Sequence, residues 1–132
     1  MAATIKDYYK EELSDWSNSI NYYLKELAEL SVQLEAVILR NSIVGIARKV
    51  EGHQEILNRS GEKFHGLQKE ILLQLNLLNK DGEAQKEHAI QEEVERAQNE
   101  LRRMMHFVSK EFMDAQFNCQ NFLSETFGKR LL

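Results

Sequence analysis

Glu62 and His65 have the Glu-x-x-His spacing that is found in carboxylate-bridged di-iron bundles. Such a site needs two copies of the motif and carboxylates from two further helices, all pointing into the bundle. This chain has one copy, and Phe64 takes the inward position between the two residues. We therefore expect Glu62 and His65 to face solvent.

His53 and His106 are the other candidates for a ligand site. His53 falls on the apolar stripe of its helix, and the expected layers of the bundle place His106 within a turn of it. A histidine in a core is more often hydrogen-bonded to a neighbour, but a pair can bind a metal or respond to pH. A ligand- or metal-binding bundle with a polar core layer around His53 and His106 is therefore the alternative hypothesis.

Nucleophilic and redox chemistry find little support in the sequence. Cys119 is the only cysteine, and it falls on an apolar stripe with no adjacent base to form a thiolate. His88 and Glu92 lie one turn apart in a charged stretch, which is typical of a surface pair. The sequence has no glycine-rich phosphate loop and no Ser-His-Asp arrangement. We expect no catalytic residue, no metal and no cofactor.

The charge distribution argues against nucleic acids and membranes as partners. The net charge is -4, and basic residues alternate with acidic ones instead of forming a basic face. No apolar run approaches the roughly 20 residues that cross a bilayer, and Met1 to Tyr9 does not resemble a signal peptide. With a single cysteine, a reducing cytoplasm is the expected location.

Apolar residues recur at alternating intervals of three and four, which predicts helices that pack along one stripe. The 132 residues contain no proline to interrupt them. The first stripe comprises Leu13, Trp16, Ile20, Tyr23, Leu27, Leu30, Leu34 and Val37. The second comprises Ile43, Ile46, Val50, Leu57, Phe64, Leu67, Ile71 and Leu78, with polar His53, Ser60 and Gln74 on the same face. The third comprises Ile90, Val94, Ala97, Leu101, Met104, Val108, Phe112, Ala115, Cys119 and Phe122.

These stripes predict an all-α fold: an antiparallel, up-down-up three-helix bundle that forms a single domain over residues 1–132, with helices at about 5–39, 43–79 and 83–127. Thr4 and Asp7 resemble a capping box at the first helix, and Asn79–Gly82 and Gly128 are predicted helix ends. At Asn41-Ser42 we expect a tight turn, although one longer helix with a phase shift is the alternative. Tight turns would place Phe64 level with Trp16 and Ala97.

In architecture this arrangement resembles a spectrin-type repeat, which implies no function. The segment from Val50-Glu51-Gly52-His53-Gln54 to Glu70-Ile71 resembles small bacterial coiled-coil and three-helix proteins. The similarity covers about a third of the chain, and it implies no activity.

The main functional signal is an excess of apolar residues near the end of the third helix. Phe107, Phe112, Phe117, Phe122 and Phe127 recur every five residues, so their rings are distributed around the helix. A helix that is apolar on several sides requires more than one buried contact. We therefore expect a non-enzymatic protein that self-associates as a homodimer or binds another helical protein. Its predicted contact residues are Phe107, Met113, Phe117, Phe122, Leu123 and Phe127.

Overall fold

The computed structural model describes residues 4–40, 44–80 and 87–131 and, within the last range, the side chains of residues 92–127. The described residues form three helices: α1 (Ile5–Arg40), α2 (Ile46–Asn79) and α3 (Glu87–Leu131). Their 36, 34 and 45 residues correspond to lengths of about 54, 51 and 68 Å at 1.5 Å per residue. The predicted all-α fold is confirmed.

Each helix contacts the other two. Residue numbers rise along α1 and α3 while they fall along α2, as the contacting pairs Asn21–Gln68, Tyr23–Phe64, Gln74–Gln98 and His53–Phe122 demonstrate. α1 and α3 are parallel, since Glu12 contacts Arg102 and Tyr23 contacts Phe112. The helices therefore form the predicted up-down-up bundle.

The capping box at the start of α1 is confirmed. The Asp7 amide donates to the Thr4 hydroxyl at 3.1 Å, and the Thr4 amide donates to the Asp7 carboxylate at 3.3 Å. These bonds satisfy two backbone donors that the first turn of a helix leaves without partners. The hydrogen bonds from Thr4 lower the pKa of Asp7.

The first turn differs from the expectation. α2 begins at Ile46, three residues later than predicted, and Gly45 precedes it with a φ of 88°. Glycine adopts this left-handed conformation without the steric cost that a Cβ atom imposes. The chain therefore turns at Gly45 and does not continue as one long helix. Asn41, Ser42 and Ile43 lie outside the described residues.

The second turn and the end of α3 give one confirmation and one correction. α2 ends at Asn79 as predicted, and Lys80 caps it in an extended conformation. The predicted start of the third helix at residue 83 lies outside the described residues. The structure describes α3 from Glu87 onward. The predicted end at Gly128 is wrong, because α3 continues to Leu131. A glycine weakens a helix by about 1 kcal/mol but does not by itself terminate it.

The register of the three helices also differs from the prediction. Phe64 stacks on Tyr23 with ring centroids 5.4 Å apart and meets Phe112 edge to face at 5.6 Å. The predicted level with Trp16 and Ala97 is therefore wrong. The later start of α2 accounts for part of the shift, since each residue added to a turn moves the opposing layers by one further position.

Most predicted stripe residues with described side chains are buried, but the third stripe needs a correction. Met104 is 39% exposed, whereas its neighbour Met105 is buried. Gln98 is buried as well, while Ala97 is only partly covered. The core face of α3 therefore runs through Val94, Gln98, Leu101, Met105 and Val108, which again alternate by four and three.

None of the described helices is long and apolar enough to span a bilayer.

Candidate protein-contact surface

Three of the six predicted contact residues are exposed on α3. The exposed fractions are 61% for Phe107, 48% for Met113 and 64% for Phe117. Met113 and Phe117 are one turn apart and share a face, whereas Phe107 lies further round the helix, toward α2. These three side chains form the candidate contact surface of α3.

The other three predicted contact residues pack inside the bundle. Leu123 is 5% exposed and belongs to the core, and Phe122 and Phe127 are partly buried against that core. Phe122 stacks on His53 of α2 with ring centroids 4.8 Å apart. A spacing of five residues turns a helix by about 500°, which is about 140° beyond a full turn, so the five rings fall at different points around α3 and three of them face the core. We therefore omit Phe122, Leu123 and Phe127 from the candidate surface.

A groove of about 680 Å³ runs between the surfaces of α2 and α3 beside Phe107. Its base consists of Leu67 and Val108, which are buried, and Met104 and Phe107 rise beside them on α3. On the α2 side the groove is open above Gly66, where an added Cβ atom would meet nothing within 4 Å. An open space with an apolar base suits a side chain from another surface.

Charged residues border this groove. The Lys63 ammonium pairs with Glu111 at 2.6 Å and lies 5.9 Å from the centroid of the Phe107 ring. Glu70 borders the groove on α2, and Arg103 borders it on α3. The groove therefore combines an apolar base with charges of both signs at its edges.

Further apolar side chains are exposed on α2. Leu72 is 60% exposed, Leu73 58% and Leu77 37%. Ile56 is 46% exposed on the same helix. The exposed apolar surface thus extends beyond α3 to α2.

His53 and His106, the pair of the alternative hypothesis, are not brought together. His53 is half-buried against Phe122, and burial lowers its pKa. His106 is exposed and lies sixteen residues before Phe122 on the same helix, a distance of about 24 Å. The expected proximity of the two histidines depended on the shorter turns, and that hypothesis loses its geometric basis.

The Glu-x-x-His pair faces solvent, as expected. Glu62 and His65 are both exposed, and the His65 Nδ1 atom lies 3.0 Å from the amide oxygen of Gln68. Within residues 4–40, 44–80 and 87–131 no group of three or more His, Cys, Asp or Glu side chains could hold a metal ion. The side chain of His88 lies outside the described part.

Cys119 is fully buried in the core, and burial raises the pKa of its thiol. A raised pKa keeps the sulfur in its protonated, weakly nucleophilic form.

A partly buried polar network joins all three helices, and among its side chains only Gln74 was predicted to lie on a core stripe. The side-chain amide of Gln74 donates to the Gln98 side chain at 3.0 Å and to the Val94 carbonyl at 2.9 Å. Gln98 in turn donates to Glu12 at 2.9 Å. Arg102 donates to both carboxylate oxygens of Glu12, at 2.7 and 2.8 Å.

The position of Gln98 could have been found from the spacing alone. It lies four residues after Val94 and three before Leu101, which are the intervals of a core stripe. Each buried polar atom needs a partner, so a network of this kind fixes the relative register of the helices. Its role is structural, at the end of the bundle where α1 begins.

Comparison with protein-family models, with curated proteins and with solved structures finds no match to this chain. The resemblance to small bacterial coiled-coil proteins therefore stays a prediction.

Proposed function

We propose that this chain is a non-enzymatic helical protein that acts through protein–protein contact, in the first place as a homodimer. The exposure of Phe107, Met113 and Phe117 on one helix is the observation that carries the proposal. Covering apolar surface is worth roughly 25 cal/mol per Å², so these side chains favour association with another apolar surface. Another helical protein is the second candidate partner.

The charge distribution supports a protein partner over a nucleic acid or a membrane. The net charge is -4, and two exposed arginines pair with acidic side chains on their own helices, Arg59 with Glu55 and Arg103 with Glu100. A nucleic-acid or anionic-lipid partner is normally bound by a face of unpaired basic groups. We place the protein in the cytoplasm, where a lone thiol such as Cys119 stays reduced.

The experiment that tests this proposal is a measurement of solution mass by light scattering across a dilution series. We expect the wild-type chain to be a dimer that dissociates on dilution. Changing Phe107 to Lys should raise the dissociation constant about tenfold or more, because it places a charge in an apolar contact. Circular dichroism should show unchanged helicity, since the Phe107 side chain is exposed.

Val32→Lys is the matched control. Val32 is 66% exposed on α1, away from the candidate surface, and its replacement should leave the dissociation constant unchanged. A wild-type chain that stays monomeric at every concentration would contradict self-association.

A further inference from the structure

The solvent-facing side of α2 carries a second stripe that the core does not use. Its apolar members are Ile56, Leu73 and Leu77, and its smallest members are Gly52 and Gly66, all of them exposed. An added Cβ atom at Gly52 or at Gly66 would meet nothing within 4 Å. Glycine is unfavourable inside a helix, and at these two positions no neighbouring side chain of this chain offsets that cost by close packing.

Three charged residues complete the stripe. Arg59, Lys63 and Glu70 occupy the positions between the glycines and the apolar residues, and all three are exposed. From residue 52 to residue 77 the eight members alternate strictly in steps of four and three. That spacing keeps one line of a helix facing a partner helix over a length of about 37 Å.

We propose that this stripe is the interface with a second copy of the chain, in which the two α2 helices pack antiparallel about a two-fold axis level with the peptide between Phe64 and His65. This inference rests on the proposed self-association and specifies its geometry. An interface of two identical surfaces must be self-complementary, with each contact made twice.

The charged residues of the stripe are self-complementary in this sense. In the antiparallel arrangement Arg59 lies opposite the partner's Glu70, so that opposite charges face each other at two symmetric places. Beside the stripe, Glu62 lies about two residues from the level of the partner's Lys69, so that the two side chains can reach each other at two symmetric places. Glu70 and Lys69 make no ion pair with other described side chains, whereas Arg59 also pairs with Glu55 of its own helix at 2.7 Å.

The same arrangement is complementary in size. Ile56 lies opposite the partner's Leu73, which joins two apolar side chains. Gly52 lies opposite the partner's Leu77, so that a large residue meets the smallest one. The open space above Gly66 receives the aliphatic part of the partner's Lys63. Large against small is how packed helices avoid both voids and clashes.

α3 adds a wall to this interface. The groove beside Gly66 is level with the two-fold axis, and Phe107 and Met104 line its α3 side. A second α2 helix lying on the stripe would cover Phe107, which is 61% exposed in the single chain. The proposed geometry thus unites the exposed residues of α2 with Phe107, and it leaves Met113 and Phe117 outside the contact.

Charge reversal tests the pairing. Glu70→Arg sets like charges opposite each other twice per dimer, and we expect the dissociation constant to rise about tenfold or more. The double variant Arg59→Glu/Glu70→Arg should restore the wild-type value. Residues 59 and 70 lie about 16 Å apart along one helix, too far for an ion pair within one copy, so the rescue can only act between copies.

Cysteine crosslinking tests the register independently. The double variant Ile56→Cys/Leu73→Cys should form a disulfide-linked dimer on mild oxidation, while each single variant should not. Within one copy the two positions are about 25 Å apart, well beyond the roughly 7 Å limit between bridged Cα atoms. Ile56→Cys/Leu72→Cys is the matched control, because Leu72 is equally exposed but lies off the stripe.

The outcomes separate this inference from the proposed function. Rescue by the double charge variant together with crosslinking between positions 56 and 73 would support the antiparallel geometry. A wild-type dimer that shows neither, or that crosslinks through the single variants, would overturn the geometry while self-association stands. A wild-type chain that stays monomeric would overturn both.

Discussion

Among single residues, Glu12 combines a largely buried carboxylate with several hydrogen-bond donors. Its side chain is 16% exposed and accepts hydrogen bonds from the Gln98 amide and from the Nε and Nη2 atoms of Arg102. Burial opposes ionisation of Glu12, but the hydrogen bonds from Arg102 and Gln98 outweigh it and lower its pKa. The folded state therefore favours the ionised form of Glu12.

We predict that Glu12→Ala lowers the free energy of unfolding by about 1–3 kcal/mol, since it leaves partly buried donors of Gln98 and Arg102 without their acceptor. Chemical denaturation at pH 7 measures the change. Glu11→Ala is the matched control, because Glu11 is exposed on the same helix, and its effect should stay within about 0.5 kcal/mol. Equal effects of the two variants would contradict a structural role for the network.

The lowered pKa of Glu12 predicts that the stability of the fold depends on pH. Because the pKa of Glu12 is lower in the folded chain than in the unfolded one, its contribution is complete above the unfolded value of about 4.3. That contribution is lost as the pH falls through the lower folded pKa. The difference in stability between wild type and Glu12→Ala should therefore shrink progressively below about pH 4. A difference that is constant down to pH 2 would contradict the assignment.

At the scale of elements, the turn before α2 depends on one backbone conformation. Gly45 has a φ of 88°, and an added Cβ atom there would meet nothing within 4 Å. Any cost of substitution must therefore come from the backbone and not from a clash.

We predict that Gly45→Ala lowers the free energy of unfolding by about 1–2 kcal/mol, because the left-handed region is unfavourable for residues with a Cβ atom. Gly45→Asn should cost clearly less, since asparagine adopts this region more readily than alanine. Thermal or chemical unfolding of the two variants makes the comparison. If alanine and asparagine cost the same, the conformation of Gly45 does not limit stability.

This turn also shows why the elements were easier to predict than their register. The apolar stripes located α1 and α2 to within three residues, because burial demands a regular spacing that the sequence displays directly. The left-handed glycine has no such signal: Gly45 is flanked by Val44 and Ile46 and reads as a continuing helix. Turn lengths decide which layers meet, so Phe64 was placed against the wrong neighbours.

The prediction of the contact residues was limited in the same way, because the sequence does not show the register of the helices. The five-residue spacing of the phenylalanines predicted that some rings would be exposed, and Phe107 and Phe117 are. Which rings point outward depends on where α1 and α2 lie around α3, and no local pattern encodes that. The outer stripe of α2 was missed because glycines and charged residues interrupt its apolar positions.

At the scale of the whole molecule, Cys119 reports on unfolding of the bundle. It is fully buried in the core of α3, and burial raises the pKa of its thiol. A thiol reagent can reach it only after the helices around it separate.

We predict that labelling of Cys119 by a thiol reagent in native buffer is slow and accelerates with denaturant in parallel with global unfolding. Asn118→Cys supplies the control, because residue 118 is exposed one position earlier on the same helix and its thiol should react at once. Labelling of Cys119 that is fast and insensitive to denaturant would instead indicate local opening of α3.

The polar network has a consequence for the order in which the chain is synthesised. Arg102 follows its acceptor Glu12 by 90 residues, so translation at about 5–20 residues per second delivers the donor roughly 5–18 s after the carboxylate. During that interval the hairpin of α1 and α2 can pair through Tyr23 and Phe64, but its remaining apolar face awaits α3. A nascent chain paused before residue 98 would therefore present both an uncovered core and an unneutralised Glu12 to the cell's chaperones.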